Sequence, residues 1–121
     1  MLKLVRSADR IIDVEDAGTT MRFLTAYFSI TNQKKILTGT ARMKERPIGI
    51  LVEALRSLGA EIDYLEKEGY PPLEAKQFSS QKTDSLKIRG DVSSQFISAL
   101  MMIAPTLPQG LTLNLEGKVG S

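Results

Sequence analysis

The 121-residue sequence contains no cysteine and no histidine. These two absences exclude disulfides, cysteine nucleophiles, serine–histidine triads and His- or Cys-ligated metals within these residues. No tight cluster of acidic residues indicates a magnesium site built from carboxylates alone. We therefore predict no metal and no cofactor. The groups that remain for binding a ligand are backbone amides, hydroxyls, side-chain amides and Lys/Arg cations, which are the groups that bind anions.

The sequence also lacks long apolar runs and a large net charge. No apolar run reaches the roughly 18 residues of a membrane span. The first residues, MLKLVRSADR, lack the apolar core and small-residue cleavage site of an export signal. We therefore expect a cytoplasmic protein with no membrane partner. Sixteen basic and fourteen acidic residues give a net charge of +2, which is too balanced to favour nucleic-acid binding.

Apolar periodicity predicts alternating strands and helices. Strands are expected at 10–14, 34–39, 61–66, after the proline turn within 69–76, and at 85–90 and 111–117; helices are expected at 19–29, 48–60 and 93–104. The order is β-α-β-α-β-β followed by β-α-β. It predicts an α/β (α+β) fold with helices packed on a mixed sheet.

Helical spacing also predicts the core. Two stripes are expected to be buried: Met21, Leu24, Thr25 and Phe28 in the first helix, and Ile48, Leu51, Val52, Leu55 and Leu58 in the second. Gly59 follows as a helix-terminating glycine. The third helix is apolar on nearly all faces, so Met101 and Met102 are predicted to fill the core. Leu111, Leu113 and Leu115 are expected on one side of the last strand.

The polar stretch at 77–84 is predicted to connect one unit, about 10–76, to part of a second unit, 85–121. The two units share a plan of strand, turn, apolar helix and strand ending in glycine. Each turn combines an aspartate with small or hydroxyl-bearing residues, at 16–20 and 91–95. Helix N-termini with small residues suit phosphate or carboxylate groups. An ordinary helix cap, worth about 1 kcal/mol, is the alternative for each turn.

A basic loop lies at residues 38–49, with the sequence TGTARMKERPIG. Arg42, Lys44 and Arg46 occupy every second position, so an extended backbone would direct all three cations to one side. Pro47 is expected near the first residue of the following helix. A solvated surface loop is the alternative. Two candidate anion turns and one cationic loop together favour an anionic small molecule as ligand.

Three segments carry a resemblance to a known family: AGTTMRFLTA, LTGTARMKERPIGILVEALRSLGAEIDYLEKEGYPPL and GDVSSQFISALMMIAP. They are similar to successive blocks of the EPSP synthase (3-phosphoshikimate 1-carboxyvinyltransferase) family, in that family's order, over residues 15–121. The resemblance implies transfer of the enolpyruvyl group of phosphoenolpyruvate to the 5-hydroxyl of shikimate 3-phosphate, in the biosynthesis of chorismate and aromatic amino acids. It implies two domains built from β-α-β-α-β-β units, so this chain would be part of one domain and the second domain would be absent.

The resemblance assigns one group of residues to shikimate 3-phosphate. Ser93 and Ser94 match the family's serine pair at the phosphate of that substrate. Gln95 matches a glutamine that lies between the two substrates and contacts both. Ser121 matches a further serine at the same phosphate.

A second group is assigned to phosphoenolpyruvate. Arg46 matches the arginine that binds this substrate, and Gly18 matches the glycine whose backbone approaches it. Arg22 matches an arginine at the same wall, as a possible site residue. Asp16 is also a possible site residue, although the family usually has asparagine there. A carboxylate beside an anionic substrate is unfavourable unless it interacts with another group. We expect that Asp16 instead caps the helix at Thr19.

The acid and base of the family, and further arginines and lysines, come from segments outside this chain. We therefore predict that the 121 residues alone have no turnover, need the remainder of the enzyme as partner, and can self-associate through exposed surfaces. Two alternatives stay open. One is the UDP-N-acetylglucosamine enolpyruvyl transferase family, whose usual cysteine is absent from TGTARMKER. The other is a non-catalytic α/β binding module.

Overall fold

The computed structural model describes residues 10–31, 33–78, 80–89 and 94–116. Its strands are β1 (Ile11–Asp13), β2 (Lys35–Thr38), β3 (Ala60–Tyr64), β4 (Leu73–Phe78), β5 (Ser85–Arg89) and β6 (Thr112–Glu116), and its helices are α1 (Gly18–Ile30), α2 (Gly49–Leu58) and α3 (Ser94–Ile103). Short 3-10 turns span Met43–Glu45 and Ala104–Thr106. The predicted order of elements is confirmed.

The first four strands form a mixed sheet in the order β1-β2-β4-β3. β1 and β2 are parallel, with Ile12 opposite Leu37, whereas β4 runs antiparallel to both β2 and β3. β3 and β4 form a hairpin, which closes through the proline turn. The second sheet is the parallel pair β5 and β6. Both parallel pairs are joined by a crossover helix, as parallel strands require.

Periodicity predicted the buried faces of α1 and α2 correctly. All nine residues of the two predicted stripes are buried. Gly59 ends α2 in a left-handed conformation with φ of 118°. Side chains at helical spacing share one face, and burial of an aliphatic side chain contributes about 1.5–3 kcal/mol.

The hydrophobic core continues from the first sheet into the second unit. α3 contacts α1, and its residues Phe96, Ala99, Leu100 and Ile103 belong to the same buried cluster as Leu24. Part of the stretch predicted to be a connection lies in β4, which ends at Phe78. The two units therefore share one core over the described part of the chain.

The prediction that Met101 and Met102 fill the core is wrong. Their side chains are 63% and 54% exposed, because the buried face of α3 is the one that carries Phe96, Ala99, Leu100 and Ile103. Composition cannot distinguish the faces of a helix that is apolar on nearly all of them. Met101 instead lines an open cavity of about 300 Å³ with Ile97, Ala104, Leu111 and Leu113. Within the described ranges, no helix is long and apolar enough to cross a membrane.

Candidate functional site

Helix α1 begins directly after the turn that leaves β1. Ala17 occupies the N-cap position, and within the described residues no side chain caps the helix. The expected cap by Asp16 is therefore wrong: its carboxylate accepts a hydrogen bond from the Thr40 hydroxyl, which lies in the loop after β2. The first amides of α1 are thus left without a carboxylate or hydroxyl cap. The positive end of the helix dipole is available to an anion there.

Two arginine side chains converge on the first residue of α1. A Cβ atom built on Gly18 would lie 2.5 Å from Nη1 of Arg46 and 3.1 Å from Nη1 of Arg22. Only a residue without a side chain lets both guanidinium groups approach the helix backbone this closely. Arg22 comes from the second turn of α1, and Arg46 comes from the loop before α2. The structure therefore brings together Gly18 and Arg46, which were predicted for phosphoenolpyruvate, and Arg22, which was a possible site residue.

The environment of Arg22 disfavours its positive charge. Burial, and next the nearby guanidinium of Arg46, lower the pKa of Arg22 below its ordinary value. Both causes disfavour the charged form of Arg22. An anion bound between the two guanidinium groups would attract both and so offset their mutual repulsion. Arg22 also lies over the ring of Phe96, 5.2 Å from its centroid, which places the beginning of α3 beside the pair.

The prediction of three cations on one side of an extended loop is wrong. Residues Met43–Glu45 form a 3-10 turn, and alternate residues do not share a face in such a turn. Lys44 pairs with Glu66 at 3.5 Å instead of turning toward Gly18. The burial of Met43 holds the turn against the core. Of the three cations, Arg46 is the one that approaches Gly18.

A wider opening adjoins the arginine pair. Asp16, Arg42, Glu45 and Arg46 line an open cavity of about 420 Å³. Pro47 lies before the N-cap residue Ile48, two positions earlier than the first helical residue, Gly49, near which it was expected. The cavity has room for a small metabolite. Its lining combines two carboxylates with two guanidinium groups.

Most of the side chains predicted to bind shikimate 3-phosphate lie outside the part of the chain that the structure describes. Ser93 and Ser121 lie outside the described residues, and so do the side chains of Ser94 and Gln95. The backbone of α3 begins at Ser94, as predicted to within one residue. Phe96 lies two residues further and contacts Arg22. The beginnings of α1 and α3 are therefore neighbours.

Sequence reasoning missed two polar residues. Thr40 hydrogen-bonds Asp16 across 24 positions in the chain, and nothing in a short motif signals that pairing. Gln81 has a buried side chain, although it stands in a polar stretch. Over the described residues, no group of three or more acidic, cysteine or histidine side chains could hold a metal ion.

Comparison with known proteins agrees with the resemblance. The model of the family described as EPSP synthase (3-phosphoshikimate 1-carboxyvinyltransferase) matches residues 2–121. Proteins named 3-phosphoshikimate 1-carboxyvinyltransferase are similar to this chain: one from Bacteroides fragilis is 49% identical over 100% of the chain, and one from Yersinia pestis is 46% identical over 98%. The chain spans 29% and 27% of these two relatives.

The fold is also similar to solved structures. An EPSP synthase from Acinetobacter baumannii superposes with a TM-score of 0.78 at 20% sequence identity. The match covers 95% of this chain and 26% of the solved one. The mixed α/β architecture described above is thus also found in a longer protein.

Proposed function

The chain belongs to the EPSP synthase (3-phosphoshikimate 1-carboxyvinyltransferase) family, and we propose that it is part of an enzyme that joins phosphoenolpyruvate to shikimate 3-phosphate. The enolpyruvyl group is transferred to the 5-hydroxyl of shikimate 3-phosphate, and inorganic phosphate is released. The product leads to chorismate and the aromatic amino acids. Both substrates are anionic, as the uncapped helix end and its arginines require. No membrane or nucleic-acid partner is involved, and the enzyme acts in the cytoplasm.

The convergence of Arg22 and Arg46 on Gly18 carries this proposal. Two cations that face one another across a helix N-terminus are stabilised by an anion placed between them. Arginine can hold a carboxylate or phosphate through two parallel hydrogen bonds. Phosphoenolpyruvate offers both groups. Gly18 leaves its backbone open to the ligand, and Arg46 supplies the exposed guanidinium.

The second substrate is assigned to the beginning of α3. Ser93, Ser94 and Ser121 bind the phosphate of shikimate 3-phosphate, and Gln95 lies between the substrates. The contact between Arg22 and Phe96 supports this assignment, because it sets the two helix N-termini side by side. Adjacent anion sites would hold phosphoenolpyruvate close to the accepting hydroxyl, which lowers the entropic part of the barrier.

These residues bind and orient the two substrates, and residues in the rest of the enzyme carry out proton transfer. The reaction protonates the methylene carbon of phosphoenolpyruvate and removes the proton of the 5-hydroxyl. A general acid or base must lie within hydrogen-bond reach of those atoms. The segments outside this chain supply it, together with the second wall of the cleft. The isolated 121 residues are therefore expected to show no turnover.

The test uses the full-length enzyme with Arg46→Ala and, as matched control, Arg42→Ala. Both arginines are exposed and line the same cavity, but Arg46 is the one that reaches Gly18. Arg46→Ala should raise the KM for phosphoenolpyruvate by about 30-fold or more, the cost of losing a charge-assisted contact of about 2–5 kcal/mol. Arg42→Ala should leave that KM much less affected. Equal effects of both variants, or equal effects of Arg46→Ala on both substrates, would contradict the assignment.

Substrate identity is tested by titration of the same enzyme. Shikimate 3-phosphate should bind, whereas UDP-N-acetylglucosamine and a nucleic acid should not. Binding of the nucleotide sugar in place of shikimate 3-phosphate would instead support the sibling transferase activity.

A further inference from the structure

Thr40 bonds the carboxylate of Asp16, the acidic residue that precedes helix α1. The Thr40 hydroxyl donates a hydrogen bond to Oδ1 of Asp16. Thr40 lies in the loop after β2, whereas Asp16 lies in the turn between β1 and α1, one residue before the N-cap residue Ala17. The hydroxyl therefore holds a negative charge beside the uncapped end of α1.

The backbone of Thr40 is held in place by bonds that do not involve its hydroxyl. Its N–H donates to the carbonyl oxygen of Glu15, at 3.2 Å, and its carbonyl oxygen accepts from the N–H of Lys44, at 3.1 Å. The N–H of Val14 donates to the carbonyl oxygen of Thr38, at 2.9 Å, which joins the turn to the end of β2. Removal of the hydroxyl should therefore release the carboxylate without releasing the loop.

A released Asp16 carboxylate has other donors within its reach. An aspartate that stands three residues before an N–H of the first helical turn is a typical helix cap, and Thr19 is at that spacing. The helix dipole attracts a negative charge to the same place. The guanidinium groups of Arg22 and Arg46, which converge on Gly18, do so as well. Asp16 can therefore take the place of an anionic ligand from within the protein.

We propose that Thr40 is a positioning residue for phosphoenolpyruvate, because its hydroxyl keeps Asp16 from capping α1 and so leaves the helix end open. This inference rests on the proposed function. Asp16 and Arg46 line the same cavity of about 420 Å³, so the carboxylate already lies beside the proposed site. Thr40 acts through Asp16 and does not touch the substrate itself. The bond favours ligand binding over the stability that a helix cap would give.

The test measures the KM for phosphoenolpyruvate of the full-length enzyme with Thr40→Val, alone and combined with Asp16→Ala. Valine keeps the branched shape of threonine but has no hydroxyl. Thr40→Val alone should raise the KM by about fivefold, because a cap of ordinary strength lowers the fraction of open helix ends by about that factor. In the Asp16→Ala enzyme there is no carboxylate to release, so Thr40→Val should have no effect on the KM.

Two further variants separate this role from a loss of structure. In Thr40→Ser the hydroxyl can still donate to Asp16 and accept the long bond of 3.4 Å from the N–H of Met43, so the KM should match that of the wild type. Thr31→Val is the matched control for loss of a hydroxyl. Thr31 ends α1, where its hydroxyl donates to the carbonyl oxygen of Tyr27, at 2.8 Å. It lies roughly 20 Å along the helix from Gly18, and its loss should not change the KM.

Three kinetic results would overturn the proposal. The first is an unchanged KM in Thr40→Val. The second is an equal rise with and without the Asp16 carboxylate, since the hydroxyl would then act through the loop that carries Arg46. The third is a rise in Thr40→Ser or Thr31→Val as large as that in Thr40→Val, which would indicate a general loss of structure.

A crystal structure of the Thr40→Val enzyme without substrates gives a direct readout. The Asp16 carboxylate should lie about 3 Å from the backbone nitrogen of Thr19, and a carboxylate that stays at its wild-type position would overturn the proposal. Thr40 is exposed, and Thr40→Ala carries the same expectations if the valine variant does not fold.

Failure of this inference is distinguishable from failure of the proposed function. A wild-type enzyme that does not bind phosphoenolpyruvate would refute the proposed function. A wild type that binds it, with a Thr40→Val enzyme that binds it equally well and an Arg46→Ala enzyme that binds it weakly, would refute the role of Thr40 alone.

Discussion

The guanidinium group of Arg46 lies against the α-carbon of Gly18, with no room for a side chain between them. A Cβ atom at position 18 would be 2.5 Å from Nη1 of Arg46. Glycine at the first position of α1 is therefore explained by the arginine and not by the helix, since this position needs no left-handed backbone. Loss of the glycine should cost ligand binding while the fold is retained.

Gly18→Ala should raise the KM for phosphoenolpyruvate by about tenfold or more, because the methyl group displaces the end of Arg46 from the helix terminus. The melting temperature should not fall, since a flexible side chain can move aside and alanine favours helix. Gly49→Ala is a matched control: Gly49 also begins a helix, and a Cβ there meets no atom closer than 3.8 Å. Steady-state kinetics and thermal unfolding of the full-length enzyme distinguish the two variants. A Gly18→Ala enzyme with unchanged KM would contradict the role of this contact.

Asp16→Asn should lower the KM for phosphoenolpyruvate. Asp16 lines the cavity that Arg46 also lines, and a carboxylate there opposes an anionic ligand. Asparagine can still accept the hydrogen bond from Thr40 through its side-chain oxygen. Removal of one partly screened charge is worth about 1 kcal/mol, or about fivefold in KM. Salt should reduce the difference between the two enzymes, and a difference that is insensitive to salt would argue against an electrostatic cause.

Ser94→Ala should weaken the binding of shikimate 3-phosphate. A hydroxyl that bonds a phosphate contributes about 1.5–3 kcal/mol, so the Kd should rise by about tenfold or more. Ser98→Ala is the control on the same helix, because Ser98 is exposed and lies beyond the first turn of α3. Calorimetric titration of the full-length enzyme measures the Kd of each variant for shikimate 3-phosphate. Equal weakening by the two substitutions would show that α3, and not the serine at its beginning, is responsible.

Gly59→Ala should destabilise the fold more than Gly110→Ala. Both glycines have positive φ, 118° and 68°, and left-handed backbone costs a residue with a side chain about 1–2 kcal/mol. A Cβ at Gly59 would also lie 2.5 Å from the carbonyl oxygen of Ser80, whereas none of the described atoms lies within 4 Å of one at Gly110. Chemical denaturation gives the free energy of unfolding of each variant. The reverse order would contradict the packing at the end of α2.

The elements of the fold could be predicted because local patterns determine them. The stripe through Met21, Leu24 and Phe28 has helical spacing, and Gly59 stands where a helix must end in left-handed backbone. The proline turn before β4 separates two strands and so indicates a hairpin. These signals depend on residues near one another in the chain.

Contacts between distant segments could not be predicted in the same way. Asp16 was expected to cap α1, but Thr40 approaches it from the loop after β2. The loop with Arg42 and Lys44 was expected to be extended, but burial of Met43 favours a 3-10 turn. The exposure of Met101 depends on which elements pack against α3. In each case a tertiary contact overrides the local pattern.

The residues of the candidate site could be predicted, but their arrangement could not, because it depends on contacts between distant segments. Gly18, Arg22 and Arg46 were assigned through family resemblance, and their convergence depends on the packing of a loop against a helix end. The serines assigned to shikimate 3-phosphate stay a prediction, since Ser93 and Ser121 lie outside the described residues. Binding measurements on Ser94→Ala test this assignment.

A crystal structure of the full-length enzyme with phosphoenolpyruvate and shikimate 3-phosphate bound tests the central claim most directly. Oxygen atoms of phosphoenolpyruvate should lie about 3 Å from the guanidinium of Arg46 and close to the backbone of Gly18, with the phosphate of shikimate 3-phosphate at the beginning of α3. Phosphoenolpyruvate bound elsewhere, with water alone between Arg46 and Gly18, would contradict it.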